Sequence, residues 1–234
     1  MYVWLFQGNL GDGKTFGASV LAHYFAQRAK KFRCIVDLYS NYGLVGSKPM
    51  RHFSDFYEVA KSPNSICILD EAHVNLDSRL FARGSNIYMT QFFFYLRKLR
   101  SSLFMTSPHV RNLDSRIRQL TNILVDCHRR GGGFSYDIYD FAAEKLLRRL
   151  YMPAYVAKQI FRLRLYDSHA IVRQIEFPRN ERDFDRFLDL VIKARYEAFK
   201  EDRQTEEDEL LAELLEDMPD EIDDVQVTPA RNVS

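Results

Sequence analysis

A glycine-rich octapeptide near the start of the chain restricts the possible fold more than any other feature of the sequence. Residues 8–15 read GNLGDGKT and match the pattern G-x-x-x-x-G-K-[ST] at every fixed position. Such a loop turns successive backbone N–H groups toward a phosphate at the amino terminus of the following helix. The context fits, because residues 2–7 are an apolar run of β-formers and residues 15–31 carry apolar residues at helical spacing. The predicted phosphate-binding residues are Gly8, Asn9, Leu10, Gly11, Asp12, Gly13, Lys14 and Thr15.

An acidic pair further along the chain provides the second half of a nucleotide site. Residues 65–69 have the pattern of a buried strand that ends in Asp70 and Glu71, about 55 residues after the loop. We expect ATP and Mg²⁺ as ligands, with Lys14 on the β- and γ-phosphates and with Thr15 and Asp70 holding the metal. Glu71 lies one residue further on, where it can polarise an attacking water, and this favours ATP hydrolysis over phosphoryl transfer to a small acceptor.

The string Asp70-Glu71-Ala72-His73 also matches the DEAH motif of a helicase superfamily. Those helicases need two motor domains, for which 234 residues leave no room, and Thr106-Ser107-Pro108 stands where Ser-Ala-Thr is expected. We therefore set the helicase interpretation aside. His73 is interpreted first as a polar residue that shapes the loop and second as a catalytic base.

The order of the predicted elements indicates an α/β fold. Continuous apolar strands alternate with helical patterns as far as residue 130, which is typical of a mostly parallel sheet with helices on both faces. We predict a P-loop NTPase fold of the RecA/ASCE type with a small C-terminal α+β extension. The predicted strands are 2–7, 33–38, 65–69, 103–105 and 122–126, and the predicted helices are 15–31, 53–60, 86–100 and 113–120.

The sequence changes character after residue 130. Residues 134–141 and 159–177 alternate aromatic, basic and aliphatic residues, which predicts antiparallel strands, either on the main sheet or in a separate domain. Residues 180–200 predict an amphipathic helix whose apolar face is Phe184, Phe187, Leu188, Val191, Ile192 and Tyr196. The predicted parts are an ATPase core at 1–130, strands and a helix that complete or flank it at 131–200, and an acidic, partly disordered tail at 201–234.

The net charge of +1 conceals an asymmetry along the chain. Residues 201–234 contain 13 of the 32 acidic residues and two of the 33 basic ones, so residues 1–200 carry a balance of +12. A basic core suits a polyphosphate partner. The tail is interpreted as a solvated end or as an acidic arm that docks on a partner or on the protein's own basic surface.

Composition and apolar runs predict a folded protein that works inside the cell. The longest apolar runs are far shorter than the roughly 20 residues of a membrane span, and the phosphate loop occupies the place of a signal peptide. We expect a cytoplasmic protein, in the host cytoplasm if viral and then associated with a virion or procapsid. Cys34, Cys67 and Cys127 show no metal-ligand spacing and are predicted to be reduced, buried packing residues.

A basic segment, residues 96–100 (LRKLR), ends the helix predicted before the fourth strand. Basic residues favour a helix carboxyl terminus and are common on solvated faces, so either explanation accounts for Arg97. The functional interpretation is that Arg97 projects across a subunit boundary to a neighbour's γ-phosphate.

Taken together, these motifs resemble the FtsK/HerA superfamily of ring-forming DNA-pumping ATPases, in particular its Zot-like and viral DNA-packaging branches. The resemblance rests on GNLGDGKT, CILDEAH, FYLRKLRSSLFMTSPH and NLDSRIRQLTNILVDC, within residues 2–128. It implies that Arg97, beside Lys98, is an arginine finger acting in trans. Pro108 stands where the superfamily usually has a glutamine sensor, so Ser107 or His109 is expected to contact the γ-phosphate, or sensing is weakened. The arginines of residues 113–118 are expected to contact DNA or a neighbouring subunit.

The function that this resemblance implies is ATP-driven translocation of double-stranded DNA by a homo-oligomeric ring, a hexamer or pentamer, in viral genome packaging. A capsid or portal protein is the further partner expected, without membrane insertion, because the transmembrane segment usual in Zot-like proteins is missing. Candidate DNA contacts are residues 41–51, 79–83 and 129–130. The alternatives are phage extrusion or conjugative DNA transfer, and an ATP-switched interaction module with little motor activity.

Overall fold

The computed structural model describes residues 1–76, 84–167, 172 and 175–200. Internal contacts divide the chain into a unit of residues 1–195 and a second unit of residues 196–234, of which 196–200 are described. The strands are β1 (Val3–Gln7), β2 (Asp37–Ser40), β3 (Ser47–Pro49), β4 (Ser65–Leu69), β5 (Ser101–Ser107), β6 (Ile123–Arg130), β7 (Gly133–Asp140) and β8 (Lys145–Met152). The helices are α1 (Lys14–Lys31), α2 (Phe56–Lys61), α3 (His73–Leu76), α4 (Gly84–Tyr95), α5 (Ser115–Leu120), α6 (Ala154–Arg162) and α7 (Glu181–Ala198), with 3₁₀ turns at Phe53–Asp55 and Val110–Asn112.

In the described part of the chain the strands form one eight-stranded sheet in the order β3-β2-β4-β5-β1-β6-β7-β8. Strands β1 to β6 are parallel to one another, and β7 and β8 extend the sheet from β6 with antiparallel pairing. Strand β5 is inserted between β1 and β4, so the strand before the phosphate loop and the strand before the acidic pair are not adjacent. The predicted P-loop NTPase fold, with a mostly parallel sheet, is confirmed.

Helices cover both faces of the sheet, as predicted. On one face β1, β4 and β5 pack against α2, α4, α5 and α7, with Phe92, Phe93 and Phe187 among the fully buried side chains. On the other face β1, β6 and β7 pack against α1 and α6 through residues such as Phe6 and Phe16. Side chains alternate between the two faces along each strand, so successive residues of β1 enter opposite cores.

Two predicted boundaries are wrong: β2 begins at Asp37 rather than residue 33, and α4 ends at Tyr95 rather than residue 100. In both places an arginine in a left-handed conformation closes the turn between the helix and the next strand. After α1, Arg33 adopts φ 59° and Cys34 N–H donates to Ala29 O over 3.0 Å; after α4, Arg100 adopts φ 52° and Ser101 N–H donates to Leu96 O over 3.1 Å. Both are Schellman closures, which usually have glycine at the left-handed position. The first cap delays β2 to Asp37 and leaves Cys34 exposed, whereas Cys67 and Cys127 are buried as predicted.

Two predictions in the C-terminal part are also wrong. Residues 159–162 were expected in a strand, but they belong to α6, which Pro153 precedes and whose Ala157 is buried. Beyond α6 the described residues make isolated bridges at Tyr166 and Glu176. In α7, Phe184, Phe187 and Val191 face the core as expected. Ile192 is 61% exposed, because the buried face of α7 is narrower than the apolar face predicted from the sequence. The tail at 201–234 lies outside the described residues, and none of the described helices is long and apolar enough to span a bilayer.

Candidate nucleotide-binding site

The glycine loop lies between β1 and α1, and two of its glycines are required by the space around them. Gly8 has φ 151°, and a Cβ there would lie 2.5 Å from the Cys127 carbonyl oxygen of β6. Gly13 has φ 83°, and a Cβ there would lie 2.5 Å from the Phe134 ring of β7. The loop is therefore pressed against the β6–β7 hairpin, where any other residue would displace it.

Side chains within the loop hold its shape. Asp12 Oδ2 accepts the Asn9 N–H over 2.7 Å, and Asp12 Oδ1 accepts the Arg129 N–H of β6 over 3.2 Å. The Lys14 ammonium donates to Asn9 O over 3.0 Å, which holds its positive charge across the loop. Leu10 is 98% exposed, so its side chain lies in solvent. The arrangement presents amide N–H groups and one ammonium to an anion.

A chain of hydrogen bonds connects the loop to the acidic strand end. Thr15 Oγ1 donates to Asp70 Oδ1 over 2.7 Å, and Thr106 Oγ1 of β5 donates to the same oxygen over 2.7 Å. Asp70 is 7% exposed, and a hydroxyl and a carboxylate in contact are the hard oxygen donors that Mg²⁺ takes beside substrate phosphates and water. The residues present therefore fit the expected metal, with Thr15 and Asp70 as its holders.

Two further residues fix Asp70 and were not assigned to the nucleotide site from the sequence. Asn41, at the end of β2, exchanges two hydrogen bonds with the Asp70 backbone, of 3.0 and 2.8 Å, and is itself buried. Thr106 is fully buried and also accepts the Glu71 N–H on its hydroxyl over 3.0 Å. The sequence did hold a signal for them, since each is a polar residue near the carboxyl end of a strand that neighbours β4. Asn41 directly follows β2, and Thr106 is the second-last residue of β5.

Glu71 occupies a strained backbone conformation. Its φ of 52° is left-handed for a residue with a side chain, a state that costs about 1–3 kcal/mol and persists where the surroundings enforce it. Its carboxylate is 35% exposed, and Oε2 lies 3.3 Å from His73 Nδ1. The turn therefore leaves the Glu71 carboxylate partly exposed, on the residue that directly follows Asp70.

The tip of β5 contacts the loop through its backbone. Gly8 N–H donates to Pro108 O over 3.2 Å, and the Ser107 hydroxyl, which is buried, donates to His109 O over 3.0 Å. His109 is exposed, and its Nδ1 accepts the Arg111 N–H over 3.0 Å. The γ-phosphate contacts expected of Ser107 and His109 stay predictions.

Arg97 lies at the opposite edge of the sheet from the loop. It lines a cavity together with Tyr2, Asn64 and Ser65, at the amino-terminal ends of β1, β4 and β5. A five-residue strand spans about 16 Å, and this length separates Arg97 from the phosphate loop of its own chain. Arg97 is exposed and follows α4 in a turn, so a catalytic role for it requires a neighbouring subunit's nucleotide.

The candidate DNA contacts are scattered over the molecule. The Lys48 ammonium lies 3.4 Å from Asp37 Oδ2, and Arg51, Arg129 and Arg130 are exposed. The Arg116 guanidinium lies 3.8 Å from Asp114, the residue that caps α5. Residues 79–83 lie outside the described residues. No DNA-binding surface is defined by these positions.

The sheet order and the glycine loop show that the chain has a P-loop NTPase fold. In this fold β5 lies between β1, which precedes the phosphate loop, and β4, which precedes Asp70 and Glu71. No protein-family model and no curated protein matches the sequence.

Among solved structures, the chain is similar to the N-terminal domain of zonular occludens toxin from Neisseria meningitidis, with 19% identity and a TM-score of 0.47 over 79% of this chain and 97% of that one. It is also similar to the DNA-packaging ATPase from Sulfolobus turreted icosahedral virus, with 13% identity and a TM-score of 0.45 over 65% of this chain and 97% of that one. A third is the genome packaging NTPase from Sulfolobus turreted icosahedral virus 2 in complex with ATP-gammaS, with 12% identity and a TM-score of 0.44 over the same shares. The Zot-like and viral packaging classes that the motifs resemble are both among these structures.

Proposed function

We propose that this protein is an ATP-hydrolysing motor that assembles as a ring and translocates double-stranded DNA in viral genome packaging. The observation that carries the ATPase part is the contact of Thr15 and Thr106 with one carboxylate oxygen of Asp70, at 2.7 Å each. This arrangement couples the phosphate loop, the acidic strand and the strand between them at one point. The DNA part is supported by the basic balance of residues 1–200 and by the motif resemblance.

The chemistry follows from the residues of the loop and the strand ends. The loop amides and Lys14 bind the β- and γ-phosphates, and Thr15 and Asp70 orient the metal, which supplies charge neutralisation when bound. Glu71 orients a water for attack on the γ-phosphorus and accepts its proton, because it is partly exposed and adjacent to Asp70. Arg97 of a neighbouring subunit stabilises the charge of the transition state.

The test begins with ATP turnover by the full chain, with and without linear double-stranded DNA. The Glu71→Gln variant is expected to keep ATP binding and to lose turnover by about 100-fold or more, because it removes the group that accepts the proton. Glu58→Gln is the matched control, since Glu58 is an exposed residue of α2 whose carboxylate pairs with Lys61. Full turnover by Glu71→Gln with ATP bound would make the hydrolysis assignment wrong.

Translocation needs its own measurement. Displacement of a triplex-forming strand from linear DNA, dependent on ATP, is the result expected of a motor. ATP binding without DNA-stimulated turnover would instead support the interaction module. Stimulated turnover without strand displacement would contradict translocation and leave the ATPase intact.

A further inference from the structure

A cavity lies beside the first turn of α1, next to the phosphate loop. It has a volume of about 580 Å³, within the range of small-molecule pockets. Its wall includes Phe16, which directly follows Thr15, and its other side is formed by Val45, Phe161, Arg164, Tyr166 and Asp167. The cavity is therefore next to the residues that hold the phosphates and the metal.

The segment after α6 encloses this cavity by pairing with the loop that follows β2. Val45 N–H donates to Leu165 O over 2.8 Å, Asp167 N–H donates to Gly43 O over 3.1 Å, and Leu44 bridges to Tyr166. Burial raises the pKa of the Tyr166 phenol to about 12, and the Asp70 carboxylate contributes to this rise.

The cavity combines an apolar, aromatic mouth with polar groups. The Phe161 ring stacks on Phe16 with centroids 4.4 Å apart at 21°, and Phe161 remains 46% exposed. Val45 is 57% exposed at the same cavity. A partly exposed aromatic ring beside an aliphatic side chain suits a flat heterocycle, and bases of any sequence stack on such rings.

We propose that this cavity holds the nucleoside of the bound nucleotide, with the base on Phe161 and Val45 and the sugar toward Arg164 and Asp167. The proposal rests on the proposed function only in taking the loop as a triphosphate site. The nucleoside is covalently joined to the phosphates, so it must lie close to the first turn of α1, whose Phe16 lines this cavity. Because stacking does not read the base edge, ATP and GTP are expected to use the site alike.

The test separates the nucleoside from the phosphates by calorimetry in Mg²⁺. ATP, GTP and inorganic tripolyphosphate are titrated into the full chain and into Phe161→Ala. Loss of one base stack is expected to weaken ATP and GTP by roughly 5- to 150-fold and to leave tripolyphosphate unchanged. Tyr155→Ala is the matched control, because Tyr155 is an aromatic residue of α6 that is 67% exposed and does not line the cavity.

A second variant guards against a folding defect in Phe161→Ala. Val45→Trp changes an exposed position and fills the mouth, so it is expected to weaken ATP and not tripolyphosphate. Unchanged ATP affinity in both variants, or equal losses for ATP and tripolyphosphate, would overturn the nucleoside site. If the unmodified chain binds neither ATP nor tripolyphosphate, the proposed function fails instead.

Discussion

The Thr106 hydroxyl makes two hydrogen bonds at once, one as a donor and one as an acceptor, to Asp70 and Glu71. It donates to Asp70 Oδ1 and accepts the Glu71 N–H, and the Thr106 carbonyl accepts the Ala72 N–H over 2.8 Å. One residue of β5 thus fixes three successive residues at the end of β4. We interpret Thr106 as a positioning residue, since it acts through Asp70 and Glu71.

Thr106→Val tests this role with little change in volume. The variant leaves the Glu71 N–H without its partner and Asp70 with one hydroxyl instead of two, so we expect turnover and apparent Mg²⁺ affinity to fall by about 10- to 100-fold. Titration of Mg²⁺ against ATP turnover measures both. Thr106→Ser keeps the hydroxyl and is expected to restore most of the Mg²⁺ affinity. A normal Mg²⁺ dependence in Thr106→Val would contradict the positioning role.

At the scale of elements, the β7 strand supports the start of α1. The Tyr136 hydroxyl donates to Gly13 O over 3.2 Å, and a Cβ on Gly17 would lie 2.5 Å from the edge of the Tyr136 ring. The hairpin therefore sets how closely α1, and with it the phosphate loop, approaches the sheet. Part of what appears in the sequence as an appended extension is packing support for the site.

The substitution Gly17→Ala is expected to have two opposing effects on the free energy of unfolding. Alanine in a helix interior gains about 1 kcal/mol over glycine, whereas overpacking costs about 1–3 kcal/mol. We expect the clash with Tyr136 to prevail and the free energy of unfolding to fall, as measured by urea denaturation. Adding Tyr136→Leu is expected to recover stability relative to Gly17→Ala alone. Gln27→Ala, on the exposed face of α1, is the control, and a stabilised Gly17→Ala would show that the ring yields freely.

The ion pair between Asp137 of β7 and Arg149 of β8 makes the free energy of unfolding depend on pH. Arg149 binds both oxygens of Asp137 at 2.7 Å, and these hydrogen bonds hold the pKa of the Asp137 carboxyl below its ordinary value. A depressed pKa stabilises the folded state above the unfolded pKa, and the contribution is lost as pH falls through the folded one. We expect Asp137→Asn to unfold slightly more easily at pH 7, with a difference that starts to shrink as pH falls below about 4 and vanishes once the pH is below the folded pKa of Asp137. A difference that stays constant as the pH is lowered through this range would contradict this origin.

Local sequence patterns predicted most of the helices and strands, and they missed two kinds of feature, the arginine caps and the residues that hold Asp70. Strand β4 has the bounds read from the sequence, because a buried run ends at charged residues. The arginine caps escaped because only glycine or asparagine signals a left-handed residue in a sequence. Thr106 and Asn41 escaped because they meet Asp70 only through the strand order, which places β5 and β2 on either side of β4.

At the scale of the whole molecule, the residues of the proposed site lie at two edges of the sheet. The phosphate loop, Asp70 and Glu71 lie at the carboxyl edge, and Arg97 lies at the amino edge beside Tyr2 and Ser65. A head-to-tail contact between copies brings unlike edges together and generates a ring when the rotation closes. The proposed ring thus predicts that every complete site contains residues of two chains.

Mixing two inactive variants tests this division. Lys14→Ala removes the ammonium from the loop and Arg97→Ala removes the finger, and each alone is expected to lose turnover by about 100-fold or more. In a randomly mixed ring, about a quarter of the contacts place an intact loop against an intact Arg97, so about a quarter of the original turnover is expected to return. Arg97→Ala mixed with the double variant Lys14→Ala/Arg97→Ala has no intact finger and is expected to stay inactive. Recovery in neither mixture, with rings confirmed by native mass measurement, would make the trans role of Arg97 wrong.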